Sequence, residues 1–149
     1  MTVKIEGLDA IFKKLDGLGK PGVMKRPMNE SLEHLHDKIA KYPKETAANR
    51  PPGRNGYSWY ARGFGTRTRT GRGYATSEDL GPSWTHKTSA NGRRGELTNA
   101  ASYGQFVQDE SRQTGFHKRT GWVTIQTVVK KEAAVVLGKF KAAYDKAVK

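Results

Sequence analysis

Ser83-Trp84-Thr85-His86-Lys87-Thr88, then Asn91-Gly92, then Gly95-Glu96-Leu97-Thr98, is the stretch on which the fold class turns. Aromatic and β-branched residues alternate with polar ones through the first segment, the period of a half-buried strand. Asn-Gly offers positive φ at low steric cost, so the chain can reverse there. The stretch predicts a β-hairpin. A lone hairpin is marginal in water, so its apolar face must be covered by other elements.

Both flanks offer helices. Downstream, Val129, Ala133, Val136, Leu137, Phe140, Tyr144 and Val148 form an apolar stripe at helical spacing, with Thr124 as N-cap and lysines in the last turns. Upstream, Met28, Leu32, Leu35, Ile39 and Tyr42 recur in steps of three and four until Pro43. Pro27 either occupies the first turn of that helix or kinks one begun near Val23. A shorter series, Leu8, Ile11, Phe12 and Leu15, predicts a first helix closed by Gly17 and Gly19. Between hairpin and final helix, 101–107 has no period that separates helix from strand.

From Lys44 to Gly81 the composition shifts to Pro51-Pro52, repeated glycine, arginines and aromatics, with neither helical nor strand period. Arg54, Tyr57, Trp59, Tyr60, Arg62, Phe64, Arg67 and Arg69 are its candidate interface residues. Guanidinium groups among aromatic rings suit stacking on RNA, and equally suit a protein interface, where Arg, Tyr and Trp are enriched. Together the elements predict one α+β domain over 1–149. A small antiparallel β-sheet packs against two or three α-helices, and 44–81 is a long arm between the second helix and the hairpin.

A chain of 149 residues has length for one core. Its 27 Lys and Arg against 14 Asp and Glu give +13, a charge that attracts polyanions or acidic protein faces. The absence of cysteine excludes disulfides, thiolate metal sites and a cysteine nucleophile. Met1 to Phe12 alternates charged and apolar residues without the apolar run of a secretory signal, and no stretch is apolar enough to span a bilayer, which predicts a soluble protein.

Catalytic chemistry finds little support in the spacing. His34 and His36 stand two apart on a helix and diverge, while His86 and His117 lack the Cys or spaced carboxylates of a metal site. Asp109 and Glu110 ahead of His117 invite an acid-base reading, yet no nucleophile elbow or phosphate loop accompanies them. The chain is therefore expected to be no enzyme, with neither catalytic residues, metal nor cofactor.

A set of short blocks narrows the expectation. Leu80-Gly81-Pro82-Ser83-Trp84-Thr85, Asn99 through Tyr103, Phe106, Val107 and Gln108, then Gln113, His117 and Gly121-Trp122, follow Ile5-Glu6-Gly7-Leu8 and two helices. In order and spacing they resemble the tail-completion, or neck, proteins of long-tailed bacteriophages, a family that includes head-tail joining and minor tail proteins. The resemblance implies an α+β virion protein, made in the bacterial host cytoplasm, that forms a homo-oligomeric ring, most simply a hexamer, at the head-tail junction. Connector and tail proteins would be its neighbours, genomic DNA would pass through it, and no membrane would be involved. Tyr103, Phe106, Val107 and Trp122 would pack the hairpin against the final helix. Gln108, Gln113 and His117 would either join subunits or fix loops. The alternative is a basic nucleic-acid-binding protein that uses the arm.

Overall fold

A computed structural model describes residues 2–5, 9–17, 22–43, 59–61, 65–67, 73–74 and 79–149. The expected hairpin is present as β5 (Trp84–Thr88) and β6 (Gly95–Asn99), antiparallel with Trp84 opposite Asn99 and Thr88 opposite Gly95. Its loop is longer than a two-residue turn: the Ser89 amide donates to the Arg94 carbonyl, and Gly92 turns the chain at φ 74°. Gly95, Leu97 and Asn99 alternate inward along β6. A third strand, β1 (Thr2–Ile5), pairs antiparallel with the other side of β6, giving the order β1-β6-β5. Its polar-apolar alternation was visible in Met1 to Phe12 but was too short to separate from coil by sequence alone.

Helix α1 spans Asp9–Gly17 and buries Leu15; Leu8 and Gly19 lie outside the described residues. Helix α2 spans Lys25–Ile39, with Pro27 in its first turn, where a missing amide costs nothing. Met28, Leu32, Leu35 and Ile39 are buried as the spacing required. The helix stops before Tyr42, because Pro43 cannot donate to the Ile39 carbonyl and disfavours helical backbone at Tyr42. Tyr42 instead stays half-buried outside the helix, and its hydroxyl accepts from the Gly81 amide at 3.3 Å.

The arm, expected to lack regular structure, contains three short strands: β2 (Trp59–Ala61), β3 (Gly65–Arg67) and β4 (Gly73–Tyr74). They pair antiparallel in the order β2-β3-β4, separate from the first sheet. Two- and three-residue strands are too short for alternation to register as a period, which is why the sequence hid them.

The undecided span 101–107 leads into a single-turn helix, α3 (Gly104–Gln108), and a second one, α4 (Gly115–Arg119), follows where no helix was expected. Helix α5 (Ile125–Ala147) begins at the expected N-cap, the Thr124 hydroxyl accepting from the Thr127 amide. Its buried face matches the expected stripe only in part, at Val136, Phe140 and Tyr144. Ile125, Val128, Phe140 and Ala147 are buried with Val136, Ala143 and Tyr144 partly so, whereas Val129, Leu137 and Val148 are exposed. Apolar side chains cover more than one stripe of α5, so periodicity alone mixed residues of the packed face with residues of the exposed one.

Helix α2 is the centre of the fold, contacting β5 and β6 as well as α5, while α1 lies against α5. One cluster of Leu15, Met24, Met28, Leu32, Leu35, Ile39, Trp84, Leu97, Ile125, Val128, Phe140 and Ala147 joins these elements. The hairpin approaches α2 closely because it carries glycine there. A Cβ on Gly92 would lie 2.3 Å from the Lys25 nitrogen, and one on Gly95 2.5 Å from the Met28 sulfur. The Asp16–Arg93 ion pair joins α1 to the hairpin loop. Among the described residues no helix is long and apolar enough to cross a membrane.

Candidate interface surfaces

The polar residues of the matched blocks turn inward. Gln108 is fully buried; its Oε1 accepts from Trp84 Nε1 at 3.1 Å and its Nε2 donates to the Ile39 carbonyl at 2.7 Å. That carbonyl is the one Pro43 leaves without a helical partner, so one amide group completes both the end of α2 and the indole of β5. Asn99 Nδ2 donates to the Leu80 carbonyl at 2.8 Å and its Oδ1 accepts from the Ala101 amide, fixing the turns on both sides of the hairpin. The carbonyl of Ser83 accepts from the Ala100 amide.

Gln113 Nε2 donates to the carbonyls of Val107 and Trp122 at 2.7 and 2.9 Å, tying α3 to the segment before α5. His117 Nδ1 lies 3.0 Å from the Phe106 carbonyl and 2.8 Å from the Thr114 hydroxyl. A carbonyl only accepts, so Nδ1 carries the proton of the neutral ring. Burial depresses the His117 pKa below its ordinary value, and the bond to the Phe106 carbonyl opposes that shift less strongly. Of the two roles expected for Gln108, Gln113 and His117, the one served by these bonds is fixing loops.

The aromatic residues of the same blocks divide. Val107 is buried and Trp122 is half-buried, edge-on to Tyr42 with ring centres 5.1 Å apart. Tyr103 and Phe106, expected to pack hairpin against helix, are instead 38% and 46% exposed. Once Val107 and Gln108 face inward on a single helical turn, residues three apart at 103 and 106 must share the outer side. Phe116, 40% exposed, adds to the apolar surface of this α3–α4 segment. Asp109 and Glu110 follow at once. The Asp109 carboxylate accepts from the Ser111 amide and hydroxyl, which hold it below the usual carboxylate range, and the Glu110 amide donates to Gln126 Oε1 on the first turn of α5 at 3.1 Å.

The acid-base reading has no geometry behind it, since Asp109 and His117 are engaged with different partners. His34 Nε2 meets Glu132 Oε2 at 2.6 Å across α2 and α5, and His36 lies beside the His86 ring. Among the described residues no group of His, Asp or Glu has the arrangement of a metal site. On the sheet, Glu96 bonds Lys87 and Arg94, both at 2.8 Å. The Lys87 bond, with desolvation opposing it and the charges of Lys87, Arg94 and Lys4 adding to it, lowers the Glu96 pKa.

An exposed apolar surface that includes Leu137 of the expected stripe lies on the far half of α5. Ala10 and Lys14 of α1 with Leu137, Lys141 and Tyr144 of α5 line an apolar groove of about 320 Å³. Leu137 is 58% exposed there. Of the arm's candidates, Trp59, Tyr60 and Arg67 belong to β2 and β3, while Arg54, Tyr57, Arg62, Phe64 and Arg69 lie outside the described residues. Comparison with protein-family models, curated proteins and solved structures finds no match to this chain.

Proposed function

We propose that this chain is a structural virion protein of a tailed bacteriophage, a neck or tail-completion protein forming a homo-oligomeric, sixfold ring at the head-tail junction. It performs no catalysis and takes no cofactor. The observation that carries the reading is the division within the matched blocks. Their polar residues are consumed by internal brackets, whereas Tyr103 and Phe106 are held at the surface by a rigid frame. Exposed aromatic residues on a well-bonded scaffold are the ordinary make-up of a protein interface. Connector and tail proteins are the neighbours such a ring would contact, and genomic DNA would traverse its channel. The arm between Tyr57 and Tyr74 reaches a neighbouring subunit or adjoining ring.

Light scattering followed by electron microscopy of the purified protein tests the ring: an annulus with a central channel is expected. Deleting 57–74 should abolish assembly and leave the monomer folded by circular dichroism; normal rings from the deletion refute the arm's role. The net charge of +13 favours a second reading, a nucleic-acid-binding protein acting through the arm. Tight DNA or RNA binding that falls steeply with salt, without ring formation, selects that reading instead.

A further inference from the structure

The sheet β1-β6-β5 is open on both sides. At the two ends of β5 the Ser83 carbonyl accepts from the Ala100 amide and the Ser89 amide donates to the Arg94 carbonyl, so Thr85 and Lys87 between them turn their main chain towards β6. His86 and Thr88 turn theirs outward. The alternate residues of β6 face β1, where Leu97 and Gly95 meet Val3 and Ile5, and this leaves the main chain of Thr2 and Lys4 directed to the other open side. No strand among the described residues meets either edge. Lysines, prolines and bulges ordinarily keep a second strand away from such an edge. Here Lys87 is bonded across the sheet to Glu96 at 2.8 Å, Lys4 stands opposite the same residue, and both registers run unbroken without proline. We infer that β5 of one copy of this chain pairs in parallel with β1 of the next, so that neighbouring subunits share one continuous sheet.

Direction and facing select this junction. Both β1 and β5 run antiparallel to β6 and therefore parallel to each other, and a rotation axis lying along the strands preserves that direction in every copy. Trp84 and Val3 pack into the core, which places the His86 and Thr88 side chains on the helix side of the sheet and those of Thr2 and Lys4 on the outer side. In an antiparallel junction directly bonded residues share a face, so it would throw the neighbour's helices to the opposite side. A parallel ladder bonds residues of opposite facing and keeps all helices on one side, as rotation about such an axis requires. Of the registers that bring the outer faces into line, Lys4 beside Lys87 sets two ammonium groups together and Lys4 beside Thr85 does not, which selects the second. Twofold pairing of β5 with β5, or of β1 with β1, ends at two copies and leaves the other edge bare. Repetition of β5 against β1 closes without an edge. The inference deepens the ring reading and rests on it: it names the junction between adjacent subunits.

Disulfide trapping tests it, because the chain has no cysteine of its own. Within one copy β6 separates Lys4 from Thr85, leaving roughly 10 Å or more between their main chains, beyond the reach of a disulfide. The full chain carrying both Lys4→Cys and Thr85→Cys, mildly oxidised, should run on non-reducing gels as a ladder that ends at the copy number of the ring. Each single variant should stay unlinked, and the two mixed should give a linked pair. His86→Pro removes an amide that no strand within the subunit uses. It should remain folded by circular dichroism and lower the association constant by roughly tenfold or more in sedimentation velocity. Rings of the double-cysteine chain that stay unlinked, linked dimers of Thr85→Cys alone, or wild-type-like assembly of folded His86→Pro each overturn this junction and leave the ring reading standing. A wild-type chain that stays monomeric at its highest soluble concentration overturns both.

Discussion

Replacing Gln108 by leucine keeps the size of the side chain and removes both of its hydrogen bonds. Trp84 Nε1 and the Ile39 carbonyl then lose the partners they hold at 3.1 and 2.7 Å, in a place where Gln108 itself has no exposed surface. A buried polar group left without a partner costs about 1–3 kcal/mol, so two such groups amount to about 2–5 kcal/mol after the small gain from a more apolar side chain. The Ile39 carbonyl has no local substitute, since the residue four positions on is Pro43. For a chain of this size each kcal/mol lowers the melting temperature by about 2–4 °C, giving an expected fall of about 5–15 °C. Urea unfolding followed by far-UV circular dichroism measures the change directly. Trp84→Phe, which removes the donor and keeps the ring, completes a double-mutant cycle in which the two substitutions should couple by about 1 kcal/mol or more. A Gln108→Leu loss under about 1 kcal/mol, or simple additivity with Trp84→Phe, refutes the bracket.

Gly92→Ala should destabilise by about 2 kcal/mol or more, because the new Cβ meets the Lys25 backbone nitrogen at 2.3 Å and φ is 74°; thermal unfolding close to wild type would mean that the hairpin loop does not rest on α2. His117 makes stability depend on pH. Its folded pKa is depressed, so the unfolded chain binds the proton more readily and stability falls as pH drops from the ordinary histidine value towards the folded one. Urea midpoints measured across that window should show this slope in wild type and a shallower one in His117→Gln, and equal slopes would exclude His117 as its source.

Legibility followed the length and burial of each segment. The hairpin, α2 and the N-cap of α5 were readable because each combines a sustained period with a recognisable end: Asn91-Gly92, Pro43 and Thr124. Strand β1 and the arm strands were not, since four or fewer residues give a period too few repeats and their pairing partners are distant or separated by irregular chain. The role of Gln108 was open for a different reason. Its partners are a side chain 24 residues away and a carbonyl 69 residues away, and no local pattern records such a meeting. A signal for the groove did exist in the surplus of apolar residues on α5. Distinguishing the packed stripe from the exposed one required knowing that α5 meets α2 and that Ile125, Val128 and Phe140 join the common core.

That surplus bears on how a chain with 27 basic and 14 acidic side chains could associate with itself. Several carboxylates are already committed within the subunit: Glu96 to Lys87 and Arg94, Glu132 to His34, Asp16 to Arg93 and Glu30 to Arg26. A twofold contact of groove against groove would bring Lys14 and Lys141 of each copy together, with like charges opposing the apolar attraction of Leu137. The same charge imbalance that suggests an external polyanion thus disfavours symmetric pairing at this surface.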